Sequence, residues 1–324
     1  MKLASMLFAA ALLIGACGSE SERSFEPAKD ANASTSGGGS NPGGFGGDKT
    51  PPAGETKSGC EKMDIVFVVD NSGSMGEEQT NLAANFPKFV SVLDGRKTGS
   101  GAPLDYRVAV TTTGRNYTYN MSTPIGNIPT STSGGDNGAM LKPASCNMTK
   151  RWIDKSDPDP SMTFSCLANV GTGGPSDEMP LSAMRDAFED RMADQTNAGF
   201  RRADALLGVV ILTDEEDCSY EQSVTLGFSE SLCENQMEPV ANYKQFLDTY
   251  AGGAQRWATA IIAGPGPGAC SSSFGGADEA TRLKSFKTAI GTNATFSSIC
   301  DGDLSIGLHD ALELFHSACD AIIL

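Results

Sequence analysis

The chain has 324 residues, 39% of them hydrophobic, and a formal net charge of −16. That length suffices for one large α/β domain or two small ones. The acidic balance excludes a nucleic-acid partner, whose phosphates need clustered Lys and Arg; it suits hard cations or basic partners, and equally the plain solubility of an exported protein.

Residues 1–17 read as an export signal. Lys2 precedes a short apolar run, Leu3 to Ile14, followed by the small residues Gly15 and Ala16 and then Cys17. The run is far shorter than the roughly 20 residues that span a bilayer. Ile14-Gly15-Ala16-Cys17 resembles a bacterial lipobox, which implies that the Cys17 thiol is diacylated before cleavage ahead of it. Gly18 in place of Asp resembles sorting to the outer membrane; a plain signal peptide with a stray Cys is the alternative reading. Residues 18–58 are Gly, Ser, Pro, Asn and Ala with scattered charges, too poor in apolar area to offset their ordering entropy, so a flexible tether is expected.

From residue 59 to 324 apolar segments alternate with helical ones. Asp64-Ile-Val-Phe-Val-Val-Asp70 predicts a strand buried on both faces, and a helix is expected from Glu77 to Leu93. Tyr106 to Thr111 predicts a second strand. A polar stretch of about 114–175 is too long for an ordinary loop, and Cys146 and Cys166 are placed to pin it. A helix opening on Asp177 and Glu178 is expected over Ser176 to Met192. Leu206 to Asp214 is the strongest strand signal. Helices near Glu238–Tyr250 and Glu279–Ile290, strands at Trp257–Ile262 and Phe296–Ile299, and a closing helix Asp303–Ile322 complete the pattern. Strands alternating with helices predict an α/β fold, a doubly wound and mainly parallel sheet flanked by helices, with a long insertion pinned by a disulfide.

Asp70-Asn-Ser72-Gly-Ser74 lies at the carboxyl end of the first buried strand, the edge at which open α/β sheets bind ligands. A carboxylate and two hydroxyls at alternate positions of a tight turn present three hard oxygens to one point, as Mg²⁺ requires. These residues resemble the von Willebrand factor A (vWA) family, whose metal-ion-dependent adhesion site joins Asp-x-Ser-x-Ser to a distant Thr and a distant Asp. The resemblance covers roughly Glu61 to Ile322. Val209-Val-Ile-Leu-Thr-Asp214 is similar to the family's later strand, which makes Asp214 the distant carboxylate. Gly171-Thr172-Gly173 resembles the threonine loop and selects Thr172, although Thr111 to Thr113 also lie near a strand end. By resemblance, Ser72, Ser74 and Thr172 bind Mg²⁺ directly (Mn²⁺ or Ca²⁺ are alternatives), with Asp70 and Asp214 acting at least partly through water. So few direct charges leave the cation electrophilic, and a protein partner's Asp or Glu completes it.

The stretch Phe200 to Gly208 with Thr213 to Ser219 is similar to vWA lipoproteins of myxobacteria and relatives. The chain departs from the family at Glu215-Glu216-Asp217, where a Gly is usual. Those carboxylates are expected to form a solvated acidic turn, with a neighbouring Ca²⁺ site as the alternative.

Nine cysteines less Cys17 leave eight, and an even number in an oxidising compartment suggests four disulfides. In vWA domains the chain ends meet, which implies Cys60–Cys319. Proximity in sequence alone suggests Cys146–Cys166 and Cys218–Cys233, leaving Cys270–Cys300, among the 105 pairings that eight cysteines allow. The two histidines, His309 and His316, share the last predicted helix, and no nucleophile elbow, zincin motif or phosphate loop occurs, so no enzyme is expected. The expected function is a lipid-anchored cell-envelope module, sited at the outer membrane, that binds a protein partner through a divalent cation. A structural envelope protein braced by its metal is the alternative, with a metal-assisted hydrolase behind it.

Overall fold

Lys62–Val69 form strand β1, of which every residue but the first is buried, so the strand must be covered on both sides. The computed structural model describes residues 59–322 apart from 221–223, 228–229, 231 and 235–236. The export signal, Cys17 and the tether of residues 18–58 therefore lie outside the described residues. After β1 the chain forms α1 (Gly76–Gly95), β2 (Asp105–Thr112), β3 (Thr118–Thr123), β4 (Gly126–Ser131), β5 (Ile153–Asp154) and α2 (Pro160–Ala168). Then come α3 (Pro180–Phe188), α4 (Asp190–Ala193), β6 (Leu206–Leu212), β7 (Thr225–Leu226) and α5 (Val240–Ala251). The last elements are β8 (Trp257–Ala263), β9 (Cys270–Ser272), β10 (Gly275–Ala277), α6 (Thr281–Ile290), β11 (Ala294–Ser298) and α7 (Leu304–Ala321).

The central sheet has the order β11-β8-β6-β1-β2-β5 and is parallel except for β5, which runs antiparallel to β2 at one edge. The protein is thus a mixed α/β structure with a mostly parallel sheet flanked by helices. Side chains alternate across β1. Met63, Ile65, Phe67 and Val69 pack with α1, α2 and α7, while Val66 and Val68 pack with α3, α5 and α6. Phe67 meets Phe86 and Phe89 edge-on at centroid distances of 5.5 and 5.4 Å, geometry that adds to the area they bury. The chain starts at β1, steps to β2 on one side, and later returns to β6 on the other. Strand order therefore reverses at the β1–β6 junction, where an open sheet leaves a crevice at its carboxyl edge.

The four disulfides are Cys60–Cys319, Cys146–Cys166, Cys218–Cys233 and Cys270–Cys300, the pairings the sequence suggested. The 114–175 stretch holds more structure than its polar composition announced. It contains the β3–β4 hairpin, the edge strand β5, and α2, whose Phe164 and Leu167 are buried in the α1 side of the core. The helix expected over Ser176–Met192 begins only at Pro180 and breaks at Glu189. Its first residues are held in a loop instead, because Met179 N donates to Thr113 O (3.3 Å) and Cys218 N donates to Glu178 O (2.7 Å).

At the opposite end of β1, Asp64 is fully buried and accepts from Arg202 N (2.6 Å), Arg202 Nε (2.8 Å) and Arg201 Nη1 (3.4 Å). Burial pushes this carboxyl up, and the two guanidinium groups oppose the shift. Asp64→Ala leaves the largely buried Arg201 without a carboxylate and Arg202 with only the exposed Asp105 (2.7 Å), and is expected to cost about 3–5 kcal/mol. Chemical denaturation should register this as a lower midpoint at unchanged slope; a midpoint equal to wild type would show the ion pair to be energetically idle.

Candidate metal centre

Asp70 is the first residue beyond β1, and its N–H still donates to Leu212 O of β6 (2.9 Å). The chain then turns sharply, because Asp70 Oδ1 accepts from Ser72 N (2.7 Å), the local side-chain bond by which Asp initiates turns. The turn brings Ser72 Oγ and Ser74 Oγ to 3.1 Å from each other. The parallel register that pairs Val69 with Leu212 carries Thr213 beside Asp70, and Thr213 Oγ1 donates to Asp70 Oδ2 (2.5 Å). Both oxygens of Asp70 are thus engaged within the protein, and the residue is fully buried. Burial raises its carboxyl above the ordinary range, the Thr213 and Ser72 bonds oppose this, and the charge of Asp214 adds to the rise.

Asp214, one residue past Thr213, is 3% exposed, and its Oδ1 has no partner. Burial raises its carboxyl as well, against a hydrogen bond from Ser74. The loop carrying Thr172 is fastened over the same turn. Gln79 Nε2 bridges Asp70 O (2.9 Å) and Gly171 O (2.8 Å), Gly171 N donates back to Gln79 Oε1 (3.2 Å), and Gly174 N donates to Asn71 O (2.8 Å). Asn71 lies so close to Gly174 that a Cβ there would collide with its amide. Thr172 itself is exposed, its methyl 3.9 Å from where a Cβ on Gly76 would stand. The other threonines are differently employed: Thr111 donates to Ala139 O (3.0 Å), Thr112 to Asp136 Oδ2 (2.7 Å) and Thr113 to Glu178 Oε2. The structure therefore gathers Asp70, Ser72, Ser74, Asp214 and the Thr172 loop at one point of the carboxyl edge.

Three further carboxylates feel the charges of Asp70 and Asp214. Glu78, on the first turn of α1, is 3% exposed with Oε2 unpartnered, and presses on Gly275, whose φ of +133° belongs to glycine. Burial first, and then the charges of Asp214, Glu77 and Asp70, push it up to about 7. Glu215 is likewise pushed up to about 7, by burial and then by Asp70 and Asp214. Glu178 is fully buried with Oε1 unpartnered; burial and the charge of Asp70 hold it well above the carboxylate range against the Thr113 bond. Among the described residues, no Lys, Arg or His forms an ion pair with Asp70, Glu78, Glu178, Asp214 or Glu215. Unpaired buried carboxylates are costly. The orphaned Asp214 Oδ1, close to the Ser74 hydroxyl and through it to Ser72, offers hard oxygens of the kind a divalent cation takes.

Neither Glu78 nor Glu178 announces itself in the sequence, where each reads as an acidic residue in the first turn of a helix. The acidic turn after Asp214 is not the solvated one expected. Glu216 accepts from Arg282 N (3.0 and 3.1 Å) at the start of α6, and the fully buried Asp217 pairs with Arg282 Nε (3.0 Å) and accepts from Ser219 Oγ (2.6 Å) and Leu181 N (3.2 Å). Those two carboxylates tie α6 and α3 to the loop, and only Glu215 turns its charge toward Asp70. The Asp177 carboxylate lies within 4.8 Å of the Cys218 and Cys233 sulfurs, but these are bonded to each other and offer no thiolate to a metal.

No protein-family model matches the chain, and no curated protein sequence matches it. Similar solved structures include proximal thread matrix protein 1 from the mussel byssus, at 14% identity and a TM-score of 0.37 over 81% of this chain and 47% of that one. The human COPII-coat protein Sec24c is similar at 10% identity and a TM-score of 0.39, over 78% of this chain and 32% of that one. The chain spans less than half the length of either, and likenesses this slight carry no argument about function.

Proposed function

We propose that the chain is a vWA-type module, exported and lipid-anchored through Cys17 at the bacterial outer membrane, that binds a protein partner through a divalent cation. Asp70, Ser72, Ser74, Thr172 and Asp214 would hold the ion, Mg²⁺ by the family pattern and Mn²⁺ or Ca²⁺ as alternatives. The bound ion supplies a Lewis-acid centre that an Asp or Glu of the partner can complete. What carries the reading is the meeting of Asp70 and Asp214 at the strand-order reversal, with Asp214 Oδ1 buried and unpartnered. Asp70, with both oxygens engaged by Ser72 N and Thr213 Oγ1, suits a role that orients the turn and meets the ion through water.

A metal that only braces the fold is the second reading, favoured by the depth at which Glu78, Glu178 and Asp214 are buried. A hydrolase is disfavoured, because Glu216 and Asp217 are committed to Arg282 and Glu215 alone is left as a candidate base.

Calorimetric titration of the oxidised chain with Mg²⁺, Mn²⁺ and Ca²⁺ is expected to show saturable binding that Asp70→Ala abolishes. Absence of binding to folded wild-type protein would reduce the motif to a turn. Partner capture lost in Asp70→Ala at unchanged melting temperature favours adhesion, whereas a lower melting temperature with capture intact favours the brace.

A further inference from the structure

We propose that Gln79 is the positioning residue of the centre, a single side chain on α1 that holds the Thr172 loop against the Asp70 turn and so sets how tightly a cation is bound. The inference rests on the metal-binding reading above and deepens it, since Gln79 lies outside the Asp-x-Ser-x-Ser, Thr and Asp pattern and is not itself a ligand. Gln79 stands nine residues after Asp70, in the first turn of α1. It is 1% exposed, a rare depth for a Gln, and one that requires its amide to be partnered.

That amide is divided between two segments far apart in sequence. Nε2 donates to Asp70 O (2.9 Å) and to Gly171 O (2.8 Å), while Oε1 accepts from Gly171 N (3.2 Å). A primary amide carries donors and an acceptor in one plane, so Gln79 engages both backbone groups of Gly171 at once. Among the described residues, the one other hydrogen bond between residues 171–174 and the rest of the chain runs from Gly174 N to Asn71 O (2.8 Å). Gly171, Gly173 and Gly174 surround Thr172, and residues 171–173 are exposed, so the loop has little packing or backbone stiffness of its own. Fastening the end of β1 through Asp70 O accounts for only one of the three bonds that Gln79 makes.

The consequence for the centre is preorganisation. When the loop is ordered before a cation arrives, the entropy of fixing it is not subtracted from the free energy of binding. Gln79 ties the loop to the backbone of Asp70 itself, so Thr172 is carried with the turn that bears Ser72 and Ser74. Removing the amide leaves the loop hung on Gly174 N alone, two residues beyond Thr172.

The test joins amide hydrogen exchange of the metal-free, full oxidised chain to Mn²⁺ titration. In wild type, Gly171 N–H is expected to exchange about tenfold or more slowly than the N–H groups of Thr172 and Gly173. Equal rates overturn the inference without recourse to any variant. Gln79→Met, which keeps the volume and removes the amide, is expected to release Gly171 N–H and to lower Mn²⁺ affinity about tenfold or more. Gln79→Asn, too short to bridge both segments, is expected to do the same. In a Thr172→Ala background the further loss from Gln79→Met is expected to vanish, because both changes remove the same ligand. Water-proton relaxation of bound Mn²⁺ is expected to report an additional water on the ion in Gln79→Met, as in Thr172→Ala. Losses that simply add mean that Gln79 acts on the fold at large, and overturn the inference. So does Mn²⁺ affinity within about twofold of wild type in Gln79→Met or in Thr172→Ala. Binding that Asp70→Ala abolishes and Gln79→Met leaves intact removes this inference alone. If wild type binds no Mn²⁺, the metal site and the inference fall together.

Discussion

Metal-free protein is expected to lose thermal stability as the pH rises from 4.5 through about 7, and a saturating divalent cation is expected to cancel most of that loss. Glu78 and Glu215 are both raised from 4.5 to about 7, so between those values the folded state binds more protons than the unfolded chain. Stability therefore falls with pH across that window; it is fully present below 4.5 and gone once the folded carboxyls ionise above about 7. Asp70 and Glu178 shift in the same direction and steepen the slope. With the partly exposed Glu215 discounted for solvent screening, the pair contributes about 4 kcal/mol, or roughly 8–16 °C in melting temperature for a domain of this size. The cation acts in the opposite sense, because it binds the ionised site and so stabilises most at high pH. Scanning calorimetry at three pH values, in chelator and in excess Ca²⁺ or Mg²⁺, checks both halves. A melting temperature independent of pH in chelator would mean that these carboxylates are not stressed by one another.

The second large effect concerns the closure of the domain. Cys60 and Cys319 are 259 residues apart in sequence with Cα atoms at 4.9 Å, and the bridge joins the start of β1 to the end of α7. In the chain-entropy account a loop of that length is worth on the order of 5 kcal/mol, against about 3 kcal/mol for the 20-residue separation of Cys146–Cys166. Non-covalent contacts at the same junction are modest: Cys60 N donates to Cys319 O (2.9 Å), and an exposed Arg96–Asp320 ion pair (2.6 Å) lies beside it. The Cys60→Ser, Cys319→Ser double variant is therefore expected to melt about 10–20 °C lower, whereas Cys146→Ser, Cys166→Ser should fall by roughly 6–12 °C. If the two double variants drop equally, loop length is not what sets the gain.

Much of the framework is a property of consecutive residues. The run from Ile65 to Val69 and that from Leu206 to Leu212 are apolar or glycine at every position and buried on both faces, as only a central strand of a covered sheet can be. Each run ends in a polar turn that carries its carboxylate, Asp70 or Asp214, so the two halves of the candidate site are legible wherever their strands are. The helix faces of α1, α5, α6 and α7 follow from 3.6-residue periodicity in the same way.

Elements whose form depends on a distant surface are not legible locally. The strands β3 and β4 are short, polar and at best half-buried, β5 is only two residues long, and they form where β7 and β2 offer edges to pair with. Asp217 and Glu178 make the point for chemistry. Both belong to acidic stretches that look alike in sequence, yet Asp217 receives Arg282 across a 65-residue separation while Glu178 receives only Thr113 and the repulsion of Asp70.

By itself, then, the sequence determined the central strands, the helix faces and the Asp70 and Asp214 strand ends, because backbone sterics and side-chain periodicity act over a few neighbouring residues. Only the tertiary structure decided which acidic side chains are neutralised and which are left for a cation. Electrostatic partnership falls off with distance in space, and chain order carries no record of that distance until β1 and β6 lie side by side.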